Sequence, residues 1–62
     1  MQATLTIDTH TNHPDTLPAE NFHTICDALG LGGFRAVGEF QLRELGTWDF
    51  SVGDASYRMT AV

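Results

Sequence analysis

Four residues of this chain have the types and spacing to hold a metal ion. His10-x2-His13 is followed, after nine intervening residues, by His23-x2-Cys26. Two imidazoles on a loop, with an imidazole and a thiolate on a helix, would complete a tetrahedral zinc site. His23 and Cys26 are three apart and therefore neighbours on a helix surface. A structural metal would also stabilise a small core. The competing reading is ordinary. Cys26 falls in an apolar stripe, where a free thiol packs as a small hydrophobe, and His10 and His13 lie in a polar loop. Sites of three histidines and one cysteine are less common than cysteine-rich ones. The expectation is therefore no cofactor, with zinc on these four residues as the alternative.

Other chemistry is weaker still. Cys26 with His23 or a loop histidine, and an acid such as Asp27, has the composition of a nucleophilic set. His23 and Asp27 are four apart and simply pair on a helix flank, and no cysteine-protease-type motif accompanies them. Glu39 and Asp49 could face each other on adjacent strands, but exposed acids on a polar sheet face are normal. Gly30-Leu31-Gly32-Gly33 lacks the lysine and hydroxyl of a phosphate loop and follows a helix instead of opening one. Phe34, Phe40, Trp48, Phe50 and Tyr57 could stack bases, yet they share the parity of buried residues. The expectation is a protein that is not an enzyme.

Charge points to a class of partner. Three arginines, no lysine and eight acids give a formal charge of −5. A phosphate backbone repels such a surface, whereas a basic protein surface attracts it. The working expectation is a small acidic module that binds another protein, modulating or inhibiting a larger basic or nucleic-acid-handling one. Stand-alone domains of this kind are frequent among phage and accessory genes. Glu39, Glu44, Asp49 and Asp54 are the candidate interaction residues.

Length sets the remaining bounds. Sixty-two residues make one domain, residues 1–62, which at this size buries only about 60% of its unfolded surface. A single cysteine excludes an intrachain disulfide, so a reducing compartment is expected. The chain opens with no secretory signal and has no apolar run near the roughly 20 residues of a membrane helix. A cytoplasmic location follows as the expectation.

The elements that must carry these residues can be read from periodicity. Ala3, Leu5 and Ile7 alternate with Gln2, Thr4, Thr6 and Asp8, the pattern of a half-buried strand over 2–8. Residues 9–17 are polar turn formers. Residues 18–30 read as a helix, with Pro18 in the first turn, an apolar stripe of Phe22, Ile25, Cys26 and Leu29, and Gly30 as its stop. Phe34, Ala36, Gly38, Phe40 and Leu42 share one parity, which predicts a second strand, although 37–45 also has the composition of a short helix. Residues 43–46 would then be a turn. Thr47–Val52 alternates cleanly, Gly53-Asp54 turns the chain, and Tyr57, Met59 and Ala61 line a last strand. The fold class expected is α+β, with a single helix packed on a mostly antiparallel sheet in the order β-α-β-β-β. One sheet face is polar, and an open edge could join two copies or accept a partner strand.

Three stretches, Ala3-Thr-Leu-Thr-Ile-Asp8, Thr16-Leu-Pro-Ala-Glu20 and Ala28-Leu-Gly-Leu31, resemble the opening half of AbrB/MazE-type swapped-hairpin domains. That resemblance implies a homodimer and an antitoxin-like partnership. It covers about half the chain. The insert at His10–Pro14, the lack of basic residues around the helix and the sequence from Gly32 onward depart from the pattern. It is not a family assignment.

Overall fold

The protein is described from a computed structural model covering residues 1–8 and 15–62. Strand β1 (Gln2–Asp8) is followed by two two-residue strands, β2 (Asp15–Thr16) and β3 (Glu20–Asn21). Helix α1 (Phe22–Leu29) leads through a 3-10 turn (Gly32–Phe34) into helix α2 (Arg35–Leu45). Strands β4 (Thr47–Val52) and β5 (Ala55–Ala61) complete the chain. The sheet runs β2-β1-β5-β4, with β3 also on β1, and every pairing is antiparallel.

Two expectations are corrected here. The fold is α+β, but it carries two helices and not one, and the order is not β-α-β-β-β. The segment read as a second strand is the 3-10 turn and α2, which continues through the expected turn at 43–46 to Leu45. The parity of Phe34, Ala36, Gly38, Phe40 and Leu42 was a coincidence of spacing. What decides the matter is the pair Gly38 and Leu42, four apart, which are the buried residues of α2 and lie one above the other on a helix. Ala, Glu, Gln, Leu and Arg around them are good helix formers. Gly46 then takes a left-handed conformation (φ 78°) and donates its N–H to the Leu42 carbonyl at 3.0 Å, a stop that a residue with a Cβ adopts only with strain.

The first helix also starts later than periodicity suggests. Glu20 and Asn21 pair with Ala3 and Gln2 of β1, so their backbone belongs to the sheet. Asn21 is the cap: its side-chain oxygen accepts from the His23 N–H at 2.9 Å, satisfying one orphan donor of the first turn. Pro18 lies outside the helix, in the link between β2 and β3.

Both helices cover one sheet face. Ala3, Leu5, Trp48 and Met59 from the sheet meet Phe22, Ile25 and Cys26 from α1, Leu31 from the connection and Leu42 from α2 in one buried cluster. Helix α1 lies over β1 and β3, whereas α2 lies over β4 and β5. Gly38 makes the closest approach: a Cβ there would fall inside 3.0 Å of three atoms of the Trp48 ring. No helix among the described residues is long and apolar enough to cross a membrane.

Candidate functional site

The four candidate acids are distributed over three parts of the fold. Glu39 and Glu44 are on α2, Asp49 is on β4, and Asp54 is in the β4–β5 turn. Glu39 was expected on a strand beside Asp49; its place on α2 separates the two. Glu39 accepts a hydrogen bond from Arg43, one turn later, at 2.7 Å. Asp49 and Arg58 are cross-strand partners, and the guanidinium donates through Nε and Nη2 to the two carboxylate oxygens at 2.7 and 3.1 Å. Glu39 and Asp49 are therefore each already engaged by arginine.

The Arg58 hydrogen bonds and charge hold the Asp49 carboxyl below its ordinary value. A lowered folded-state pKa gives stability that is present above the unfolded value, about 3.9, and is lost as pH falls through the folded value. Because both side chains are exposed, the effect is small. Asp49→Asn should leave the thermal midpoint at pH 7 within a few degrees of wild type. The difference that does exist should vanish as the solution is acidified below the carboxylate range. Melting curves of the two proteins from neutral to acid pH check this, and a gap that widens on acidification would contradict it.

The polar sheet face holds an open groove of about 570 Å³. Thr6, Asp8, Asp49, Ser51, Ser56 and Arg58 line it. Its chemistry is hydroxyls, carboxylates and one guanidinium, with Phe50 and Tyr57 contributing apolar lining. Ser51 and Ser56 are directly opposite each other, but the described residues place no imidazole beside them to act as a base.

Of the candidate metal ligands, His10 and His13 lie outside the described residues. Among the described residues, no three histidine, cysteine or acidic side chains gather around a point. His23 is exposed on α1 with its ring 5.7 Å from that of Phe22, edge to face. Cys26 is buried in the core. Burial raises the Cys26 thiol above its ordinary value, opposed in part by the Arg35 charge. A thiol so placed is protonated near neutrality and is a poor nucleophile and a poor ligand.

The features that sequence reasoning missed are apolar and backbone groups. Phe34 is 59% exposed, Val37 53%, Phe40 61% and Leu45 69%. All four belong to α2 or the residue that precedes it. The spacing 34, 37, 40 was visible in the sequence as a second helical stripe, distinct from Gly38 and Leu42. The strand parity drawn through the same residues concealed it.

Helix α2 packs against the edge strand. A single residue, Gly46, joins α2 to β4, so the helix folds straight back over that strand. Below it, β4 is six residues long and nothing among the described residues pairs with its outer side. The opposite edge is different. There β2 and β3 are two residues each, are separated by Leu17-Pro18-Ala19 and carry Asp15 and Glu20, all devices that discourage further pairing. Strand β4 has no proline and no lysine.

Compared with known protein families, curated proteins and solved structures, the chain matches none.

Proposed function

We propose that this chain is a small, non-catalytic protein-binding module, and that its binding element is the open edge of β4 together with the apolar flank of α2. The observation that supports this reading is that β4, the strand on which α2 packs, has an outer side that nothing among the described residues pairs with. The same helix, with the residue before it, exposes Phe34, Val37, Phe40 and Leu45. Strand addition takes affinity from main-chain hydrogen bonds and specificity from neighbouring side-chain surfaces. Contiguous apolar patches of a few hundred Å² mark interaction sites. An edge binder modulates a partner by occupying it, so a chain of this size can act with no reaction of its own. The charge of −5 favours approach to basic surfaces and governs encounter more than final affinity.

Photo-crosslinking residues placed singly at Ser51 and Val37 test the reading in cells of the source organism, with Thr4 on the polar sheet face as control. Protein adducts should form at positions 51 and 37 and not at position 4. An absence of protein adducts at both positions 51 and 37 would reject the module.

A further inference from the structure

Resting on the strand-addition reading above, we infer that the β4 edge takes an extended, basic segment of another protein, with a lysine or arginine opposite Asp49 and apolar residues on either side of that cation. The ladder shows which backbone groups are open. The Ala61 N–H donates to the Gly46 carbonyl at 2.9 Å, and the two-residue turn closes on the pair Val52 and Ala55. Even-numbered residues of β4 therefore bond inward to β5, because antiparallel ladders alternate. Thr47, Asp49 and Ser51 direct their N–H and C=O groups outward, where an added strand can meet them.

The rows of side chains that cross the sheet show what such a strand should carry. On the polar face, Thr6, Arg58 and Asp49 form one row across β1, β5 and β4. That row ends at the open edge on a carboxylate. The rows on either side of it end on the hydroxyls of Thr47 and Ser51. On the helix-covered face, the row Leu5, Met59, Trp48 and the row Ile7, Tyr57, Phe50 end on aromatic rings. The Phe50 ring lies 4.5 Å from that of Trp48 and 5.4 Å from that of Tyr57. It is only half-buried, and Val52 is exposed, so apolar residues opposite them would extend the row and leave water. From Thr47 to Val52 the edge presents hydroxyl, ring, acid, ring, hydroxyl and aliphatic groups in turn. Opposite charges directly across two strands stabilise the pair and like charges destabilise it, so Asp49 selects a cation.

Asp49 has room for that cation beside Arg58. The guanidinium makes one hydrogen bond to each carboxylate oxygen, whereas a carboxylate offers about four acceptor positions. The Asp49 side chain remains 61% exposed. The charge of −5 steers a basic segment toward the chain. A second copy fits this edge less well. Strand β4 is Thr-Trp-Asp-Phe-Ser-Val, so no register of β4 on β4 sets a positive charge opposite Asp49.

Three capped peptides test the inference on the full chain. The first is Thr-Val-Thr-Val-Arg-Val-Thr-Val-Thr, a palindrome that serves either strand direction. The second has glutamate at the centre. The third keeps the arginine and has proline for the two inner threonines, which removes ladder donors but no charge. Fluorescence anisotropy reads affinity up to about 1 mM peptide. The arginine peptide should bind saturably, and the other two about tenfold or more weaker. At saturation it should slow hydrogen exchange of the Thr47, Asp49 and Ser51 amides about tenfold, with little change at Trp48 and Phe50, whose amides already face β5. Asp49→Asn, checked for fold by circular dichroism, should narrow the preference for arginine over glutamate to about threefold or less.

Equal affinity for the arginine and glutamate peptides, a preference that survives Asp49→Asn, binding that leaves the three amides unslowed, or no saturable binding would each overturn the basic segment. So would slowing of the same amides when the chain alone is concentrated and sediments as a dimer, which would assign the edge to a second copy. If protein adducts still form at positions 51 and 37 in any of these cases, the binding module stands with a partner of different chemistry.

Discussion

Replacing Phe22 with alanine should leave the chain largely unfolded at room temperature. Phe22 is buried at the start of α1, with its ring centroid 6.4 Å from that of Trp48. Its backbone N–H donates to the Met1 carbonyl at 2.9 Å, so it ties α1 to β1 as well as filling the core. Truncating a buried phenylalanine costs about 3–5 kcal/mol. A single core in a domain below about 70 residues supplies about that much stability in total. The contrast within one residue type makes the prediction specific. Phe40→Ala, on the exposed arc of α2, should change monomer stability by about 0.5 kcal/mol or less. Amide dispersion in NMR spectra and urea titration of both variants decide the matter. An unfolded Phe40→Ala beside a folded Phe22→Ala would mean that α2 is turned the wrong way round.

The second large effect is expected at Gly38. Helix propensity alone predicts that almost any substitution for a mid-helix glycine is neutral or helpful. Packing predicts the reverse. The position of a Cβ at residue 38 is already crowded by the six-membered ring of Trp48, and valine adds two methyl groups beyond it. Overpacking of this kind costs about 3 kcal/mol, at the upper end of its usual range. The mechanism has a signature in a double-mutant cycle. Gly38→Val should cost less by about 1 kcal/mol or more when Trp48 is also replaced by phenylalanine, because a smaller ring retreats from the added carbons. Strict additivity of the two substitutions would show that the loss at Gly38 comes from the backbone and not from the ring.

These two residues also mark where the fold was legible. Period-two alternation located β1, β4 and β5 well, because each has one face on the core and one outside. Gly53-Asp54 was the β4–β5 turn for the same reason that such pairs usually are. Phe22, Ile25 and Cys26 were recognisable as the inner stripe of α1. The start of that helix was not, because Glu20 and Asn21 are held by β1, a tertiary demand that local propensity does not encode. Residues 34–42 were misread because a glycine and four apolar residues of one parity imitate a strand. Three of those residues, Phe34, Ala36 and Phe40, are exposed, and no burial rule anticipates that for two phenylalanines.

The candidate site was less legible than the fold. Acidic residues are conspicuous in a sequence of this charge, yet Glu39 and Asp49 each rest against an arginine that only the folded chain brings near or fixes in place. Backbone edges leave no mark in side-chain chemistry at all. The open side of β4 became visible only when the strand order showed which strand lies outermost.

The central strand pair joins the two ends of the chain. Ala3 is opposite Ala61, and the Val62 N–H donates to the Gln2 carbonyl at 3.0 Å. Such a pairing has the largest sequence separation the chain offers, and closing it is the slowest kind of contact to form. The β4–β5 hairpin and the two helical segments are local and can form early. During synthesis, β1 emerges from the ribosome well before its β5 partner. Until β5 follows, Ala3, Leu5 and Ile7 must wait as an exposed apolar strand. The nascent chain therefore passes its most aggregation-prone moment just before β5 emerges, and residues 55–61 complete the sheet.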